Sequence, residues 1–181
     1  MSPFTTVRSK AIPLPEANVD TDQIIPAQYV NAVGSAALAE ALFKRLRERD
    51  PQFVFNRPEM QGRSIMLVGE NFGCGSSREA AAWALQAWGI RALIGLSFNA
   101  TFHANCLQNG LLPVTVERDV HSRLSPDDDV LIDLPAGSGQ AGSVRFPIRI
   151  EPFARELLLR GIDELDYLME CRAEIAAYEL R

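Results

Sequence analysis

The central third of this chain, Ser64 to Val116, constrains the fold more than any other feature. Ser64–Val68 (SIMLV) is an apolar run that reads as a buried strand, and the turn-rich stretch GENFGCGSS follows at 69–77. Ser77–Trp88 is Ala-rich and helical in pattern, with Gly89 as the residue that ends it in a left-handed conformation. Arg91–Leu96 is a second apolar strand, Phe98–Asn109 a second helix closed by Gly110, and Leu112–Val116 a third strand. A β-α-β-α-β order predicts an α/β fold with parallel pairing and right-handed crossovers. Ligands bind such sheets beyond the carboxyl ends of the strands, and the 69–77 loop occupies one of those ends.

The flanks read differently. Pro13, Pro15 and Pro26 surround NVDTDQII, so the opening segment is expected to be strand and loop rather than helix. Ser35–Arg49 reads as one amphipathic helix, with Leu38, Leu42 and Leu46 on one face and Glu40 and Lys44 at ion-pair spacing, and Pro51 ends it. Val130–Leu134 and Val144–Ile150 read as strands joined by a flexible hairpin loop, PAGSGQAGS at 135–143. Pro152–Arg160 reads as a helix closed by Gly161, and the tail from Asp163 as mostly helical. The whole describes a single domain, 1–181, with a core over about 1–152 and a helical tail over about 153–181.

Composition excludes several classes. The 181 residues carry a net charge of −5 and no Lys/Arg block, which argues against nucleic acid. No run reaches the ~20 apolar residues of a membrane span, and the N-terminus lacks the apolar stretch of a signal peptide, so a cytoplasmic protein is expected. Cys74, Cys106 and Cys171 are far apart, and His103 and His121 are the two histidines. Neither a self-contained zinc site nor a cysteine-ligated cluster is expected here, so any metal belongs on another polypeptide. Trp83 and Trp88 read as core or interface aromatics, His103 as a structural or surface residue, and His121 as solvated. Cys106 and Cys171 read as small buried apolar groups, and Asp127–Asp129 as a solvated turn.

The chemistry concentrates in Asn71-Phe72-Gly73-Cys74-Gly75-Ser76-Ser77-Arg78-Glu79. Two glycines let the backbone turn sharply and approach a ligand. Ser76 or Ser77 can cap the following helix, whose first-turn amides and dipole favour an anion. Arg78 adds a planar fork for a carboxylate. A serine becomes a base only if something stabilises its alkoxide, and a helix N-terminus with a nearby cation can do so. Rival readings are weaker. Arg78 stands where the third glycine of a dinucleotide fingerprint belongs, no GK[ST] follows, and no G-x-S-x-G surrounds either serine. A plain helix cap with a surface arginine remains open on these residues alone.

That nine-residue stretch resembles the active-site motif of the aconitase swivel-domain family, in the form carried by isopropylmalate dehydratase small subunits. Three further stretches agree, in order: Asn18–Pro26, Ser97–Val114 and Ile175–Glu179. The resemblance implies a swivel domain, with a mixed or parallel sheet closing toward a barrel and helices around it. It implies a large-subunit partner carrying a [4Fe–4S] cluster, with no cofactor and no metal on this chain, and a small hydroxy-dicarboxylate substrate. It implies that Ser76 is the base, that Ser77 and Arg78 bind substrate carboxylate, and that Gly75, Thr21 and Asp22 line the substrate. A specificity loop would be formed by Tyr29, Val30, Asn31, Ala32 and Val33. The reaction implied is dehydration and rehydration, turning 2-isopropylmalate into 3-isopropylmalate in leucine biosynthesis. The chain departs from the family pattern at Ala80 and Ala82, where the family has His and Pro, and no arginine occurs between Arg8 and Arg45. A paralogous subunit acting on citramalate or another substituted malate, and a non-catalytic carboxylate-binding module, are the alternatives.

Overall fold

The computed structural model describes residues 1–31 and 34–180. Ala32 and Val33 of the expected specificity loop, and Arg181 of the tail, lie outside the described residues.

Strands β1 (Thr6–Ser9) and β2 (Ala11–Leu14) open the chain, separated by Lys10 alone. A short helix, α1 (Thr21–Ile24), follows where strand and loop were expected. Its cause is local: Asp20 accepts from the Gln23 amide while the Gln23 side chain accepts from the Asp20 amide, a closed capping box. Helix α2 (Ser35–Ala41) and helix α3 (Lys44–Arg49) replace the single helix read over 35–49. The break falls at Phe43, which adopts a left-handed φ of 50°. In return its ring is buried 4.7 Å from Phe55 and 5.7 Å from Phe53, and its amide donates to Ile24 O at 2.8 Å. Glu40 and Lys44 still pair across the break at 2.7 Å.

The central unit forms as expected. Strand β3 (Ile65–Val68), helix α4 (Ala80–Trp88), strand β4 (Ala92–Gly95), helix α5 (Ala100–Gln108) and strand β5 (Leu112–Thr115) alternate, and the strands pair in parallel. Strand β2 adds to the β3 edge, giving a parallel sheet ordered β2-β3-β4-β5. Both edge strands carry a proline, Pro13 and Pro113, which a central strand could not accommodate. Both faces of the two central strands are buried, which is why they read as unbroken apolar runs.

The last third forms a second sheet. After a helix not read from the sequence, α6 (Arg118–Arg123), come β6 (Val130–Asp133), β7 (Ser138–Ala141) and β8 (Val144–Pro147). With β1 they form an antiparallel sheet ordered β1-β6-β7-β8. Strand β7 lies inside the stretch expected to be a flexible loop. Its small residues make room: Gly139 pairs with Phe146, and a Cβ there would lie 2.2 Å from the Phe146 ring. The expected mixed sheet is thus two ladders, one parallel and one antiparallel, and no strand pairing among the described residues joins them into a closed barrel.

Alternation along the strands sorts the core. Met66, Val68 and Leu93 face helices α4 and α5, while Ile65, Leu67, Ala92 and Ile94 face Val130, Ile132 and Phe146 of the antiparallel sheet. Strands β6, β7 and β8 therefore bury every second residue and leave the others half-buried or exposed. Helix α7 (Pro152–Arg160) adds Leu158 to this second core and ends at Gly161, and helices α8 (Glu164–Glu170) and α9 (Arg172–Glu179) form a largely exposed tail. Among the described residues no helix is long and apolar enough to cross a membrane.

Candidate active site

The loops after β2, β3 and β4 leave the carboxyl ends of adjacent parallel strands and are laced together by their backbones. Gly73 N donates to Val19 O at 2.8 Å, Phe72 N to Ser97 O at 3.1 Å, Asn99 N to Phe72 O at 3.0 Å, and Thr21 N to Cys74 O at 2.9 Å. Phe72 is fully buried, with its ring edge-on to Phe98 and Phe102. It is the peg that holds this loop to the sheet. Gly73, at φ 75°, passes so close to Phe102 that a Cβ would lie 2.1 Å from the ring. The conformation and the space both demand glycine there.

This lacing delivers Gly75, Ser76 and Ser77 to the surface, exposed, beside the first turn of α1. Ser76 Oγ lies 3.1 Å from Thr21 Oγ1, and Ser76 O accepts from the same hydroxyl at 3.1 Å. Arg78 returns to the next residue of α1. Its Nη1 donates to Asp22 Oδ1 at 2.7 Å and to Ile25 O at 3.0 Å. That bond from Arg78 is the main reason the Asp22 carboxyl sits below the usual carboxylate range. Nε and Nη2 of Arg78 have no partner among the described residues, leaving one edge of the fork for a carboxylate.

The expected cap is not made. Helix α4 starts at Ala80, not at Ser77, and neither serine caps it. The Ala81 amide goes to Arg78 O and the Ala82 amide to Glu79 O. Ser76 is held instead by Thr21, so a tertiary bond has displaced the local one. The anion-binding character of this turn therefore rests on Arg78 and the exposed hydroxyls more than on a free helix end.

The structure brings Ser76, Arg78, Thr21, Asp22 and Gly75 together, with exposed Ser77 beside them. Tyr29 and Val30 are half-buried and pack on the core, whereas Asn31 is exposed. Thr21 is buried at 1% exposure, beneath Ser76 rather than at the surface. Sequence reasoning missed Arg45. Its Nη2 donates to Gln28 Oε1 at 3.1 Å, and its charge helps hold Asp22 ionised. No local pattern marks it, since the left-handed Phe43 and its bond to Ile24 bring α3 to α1.

Other readings are corrected. His121 is half-buried on α6 and its Nε2 lies 2.8 Å from Val68 O, so it is not simply solvated. Cys171 is half-exposed rather than buried, while Cys106 is fully buried and its thiol is pushed up by that burial. Asp127 and Asp129 do lie exposed at a turn, as read, and face Arg63 and Arg8 at 3.7 and 2.9 Å. Among the described residues no three His, Cys, Asp or Glu side chains are grouped so as to hold a metal ion.

Parallel strands whose terminal loops present a serine, a guanidinium and a Thr-Asp turn define an aconitase C-terminal domain, and the family model of that description matches residues 1–119. Over 99% of its length the chain is 49% identical to the 3-isopropylmalate dehydratase small subunit of Solibacter usitatus, covering 94% of that protein. It is 42% identical to the small subunit of Phenylobacterium zucineum, over 100% of this chain and 95% of that one. The crystal structure of 3-isopropylmalate dehydratase from Methanocaldococcus jannaschii superimposes with a TM-score of 0.72 at 30% identity, covering 96% of this chain and 99% of that one. The chain belongs to the family of 3-isopropylmalate dehydratase small subunits.

Proposed function

We propose that this chain works as the small subunit of a cytoplasmic 3-isopropylmalate dehydratase, with Ser76 as the base and Arg78 as the carboxylate anchor. One observation carries the reading: Ser76 and Arg78 dock on consecutive residues, Thr21 and Asp22, at the exposed carboxyl end of the parallel sheet. Base and anchor are thereby fixed relative to one another, which is where rate is gained. Ser76, as its alkoxide, takes the proton alpha to a substrate carboxylate. The electron pair left on carbon forms the double bond as the neighbouring hydroxyl departs, and re-addition of water at the other carbon gives the isomer. The Nε–Nη2 edge of Arg78 holds the carboxylate, with Ser77 beside it. Asp22 occupies Nη1 and fixes the plane of the guanidinium.

The exposure of Gly75, Ser76 and Ser77 supports a site whose opposite wall is contributed by a large subunit. In this reading a [4Fe–4S] cluster on that subunit supplies Lewis acidity toward the leaving hydroxyl. The chain is assembled with its large subunit and assayed against a panel of substituted malates. Isopropylmalate turnover is expected, and Ser76→Ala is expected to lower it by about 10²–10⁴-fold. Turnover of citramalate without isopropylmalate would reassign the substrate, and an active Ser76→Ala would remove the base.

A further inference from the structure

Thr21 is the one polar residue among the fully buried ones described, at 1% exposure. A buried hydroxyl must be satisfied, and this one meets two oxygens of the same residue, Ser76 O and Ser76 Oγ, each at 3.1 Å. Its proton inventory is fixed: Thr21 Oγ1 carries one hydrogen, and a carbonyl can only accept. While Ser76 is neutral, Thr21 donates to the carbonyl and accepts from the Ser76 hydroxyl. Once exposed Ser76 has lost its proton to solvent water, Oγ carries a charge and is the stronger acceptor, since charge-assisted hydrogen bonds are roughly twice as strong as neutral ones. A rotation about the Thr21 Cβ–Oγ1 bond moves the same hydrogen from the carbonyl to the oxyanion. No covalent bond changes at Thr21. The backbone stays put, because Thr21 N is bound to Cys74 O and Thr21 O to Ile25 N, each at 2.9 Å.

We propose that Thr21 is a positioning residue that holds the Ser76 hydroxyl in place and turns its single proton onto the Ser76 oxyanion, stabilising the ionised base from behind while the open side faces the substrate. This rests on the reading of Ser76 as base. It gives a buried threonine a part in the reaction without substrate contact, a role that burial of the side chain otherwise excludes.

The test uses Thr21→Val, which keeps the shape and removes the hydroxyl, and Thr21→Ser, which keeps the hydroxyl, each assembled with the large subunit. The pH profile of kcat for isopropylmalate is measured. Thr21→Val is expected to lower kcat by about 10- to 100-fold, with KM within about twofold, the range for losing one hydrogen bond to a charged group. Its acidic limb should move to higher pH by about one to two units. Thr21→Ser should return the limb to its original place. Far-UV circular dichroism and assembly with the large subunit establish folding. If Thr21→Val does not fold, Thr21→Ala, which leaves no methyl against the Ser76 carbonyl, takes its place with the same expectations. A fall in kcat with an unmoved limb would reduce Thr21 to a structural role, and a rise in KM alone would make it a substrate contact. Either overturns the proposal. A normal Thr21→Val profile beside an inactive Ser76→Ala refutes Thr21 alone. An active Ser76→Ala removes the base reading, and this role with it.

Discussion

Gly73 and Gly75 sit two residues apart in the same loop, both at positive φ, 75° and 90°, yet their surroundings differ enough to separate two energies. An alanine at either position adopts a left-handed conformation at about 1–2 kcal/mol. At Gly75 that is the whole cost, because the nearest atom to an added Cβ is Asp20 Cβ at 3.4 Å, ordinary contact. At Gly73 the added Cβ falls 2.1 Å from Phe102 Cγ and 2.4 Å from its Cδ1. Phe102 is itself buried and packed edge-on against Phe72, so the ring cannot swing clear without opening the first core. Overpacking of that kind adds about 1–3 kcal/mol, for a total of about 2–5 kcal/mol. With a urea m-value of roughly 2 kcal/mol per M, Gly73→Ala should lower the unfolding midpoint by about 1–2.5 M, and Gly75→Ala by about 0.5–1 M. Urea titration followed by circular dichroism and tryptophan fluorescence reads both. Equal midpoints for the two variants would mean that Phe102 gives way freely, and that the loop is not pegged to the sheet as described.

Three further outcomes are expected. Asp22→Asn removes an acid whose folded pKa is depressed by the bond from Arg78, so its stabilisation is present above the unfolded value of roughly 3.9 and lost as pH falls through the folded value. The variant should be less stable than the parent at pH 7, by under about 1 kcal/mol because Asp22 is half exposed, and the gap should close toward pH 2; a gap independent of pH would deny the pair. Arg78→Lys keeps the charge and loses the planar fork, so KM for isopropylmalate should rise by about 10-fold or more, whereas unchanged kinetics would take Arg78 out of the site. A thiol reagent at pH 8 should label Cys74 and Cys171 in the folded chain and Cys106 only in denaturant, with immediate native labelling of all three contradicting the burial of Cys106.

Much of this molecule was legible because short-range physics dictated it. Strands β3 and β4 are buried on both faces, so each needed an unbroken apolar run, and each shows one. Gly89 and Gly161 end their helices left-handed, as the lone glycine after each helical pattern predicted. The 69–77 loop stood out by residue type, two glycines and two serines beyond a parallel strand with an arginine next, but those residues alone left a plain helix cap open. Even α1, read as loop, announced itself through Asp20 and Gln23, a capping box passed over among the prolines.

Amino-acid order alone thus determined the parallel unit and the glycine stops of its helices, because these follow from sterics and periodicity within a few residues. Tertiary structure decided the rest. The Gly/Ser-rich stretch became strand β7 because Phe146 lies over Gly139 across the ladder. The helix over 35–49 broke at Phe43 because its ring and amide found partners in Phe53, Phe55 and Ile24. Ser76 left its cap for Thr21, 55 residues earlier, and Arg45 reached Gln28 through that same kink. Each of these trades a favourable local conformation for a long-range contact, and only the assembled fold sets the worth of such a contact.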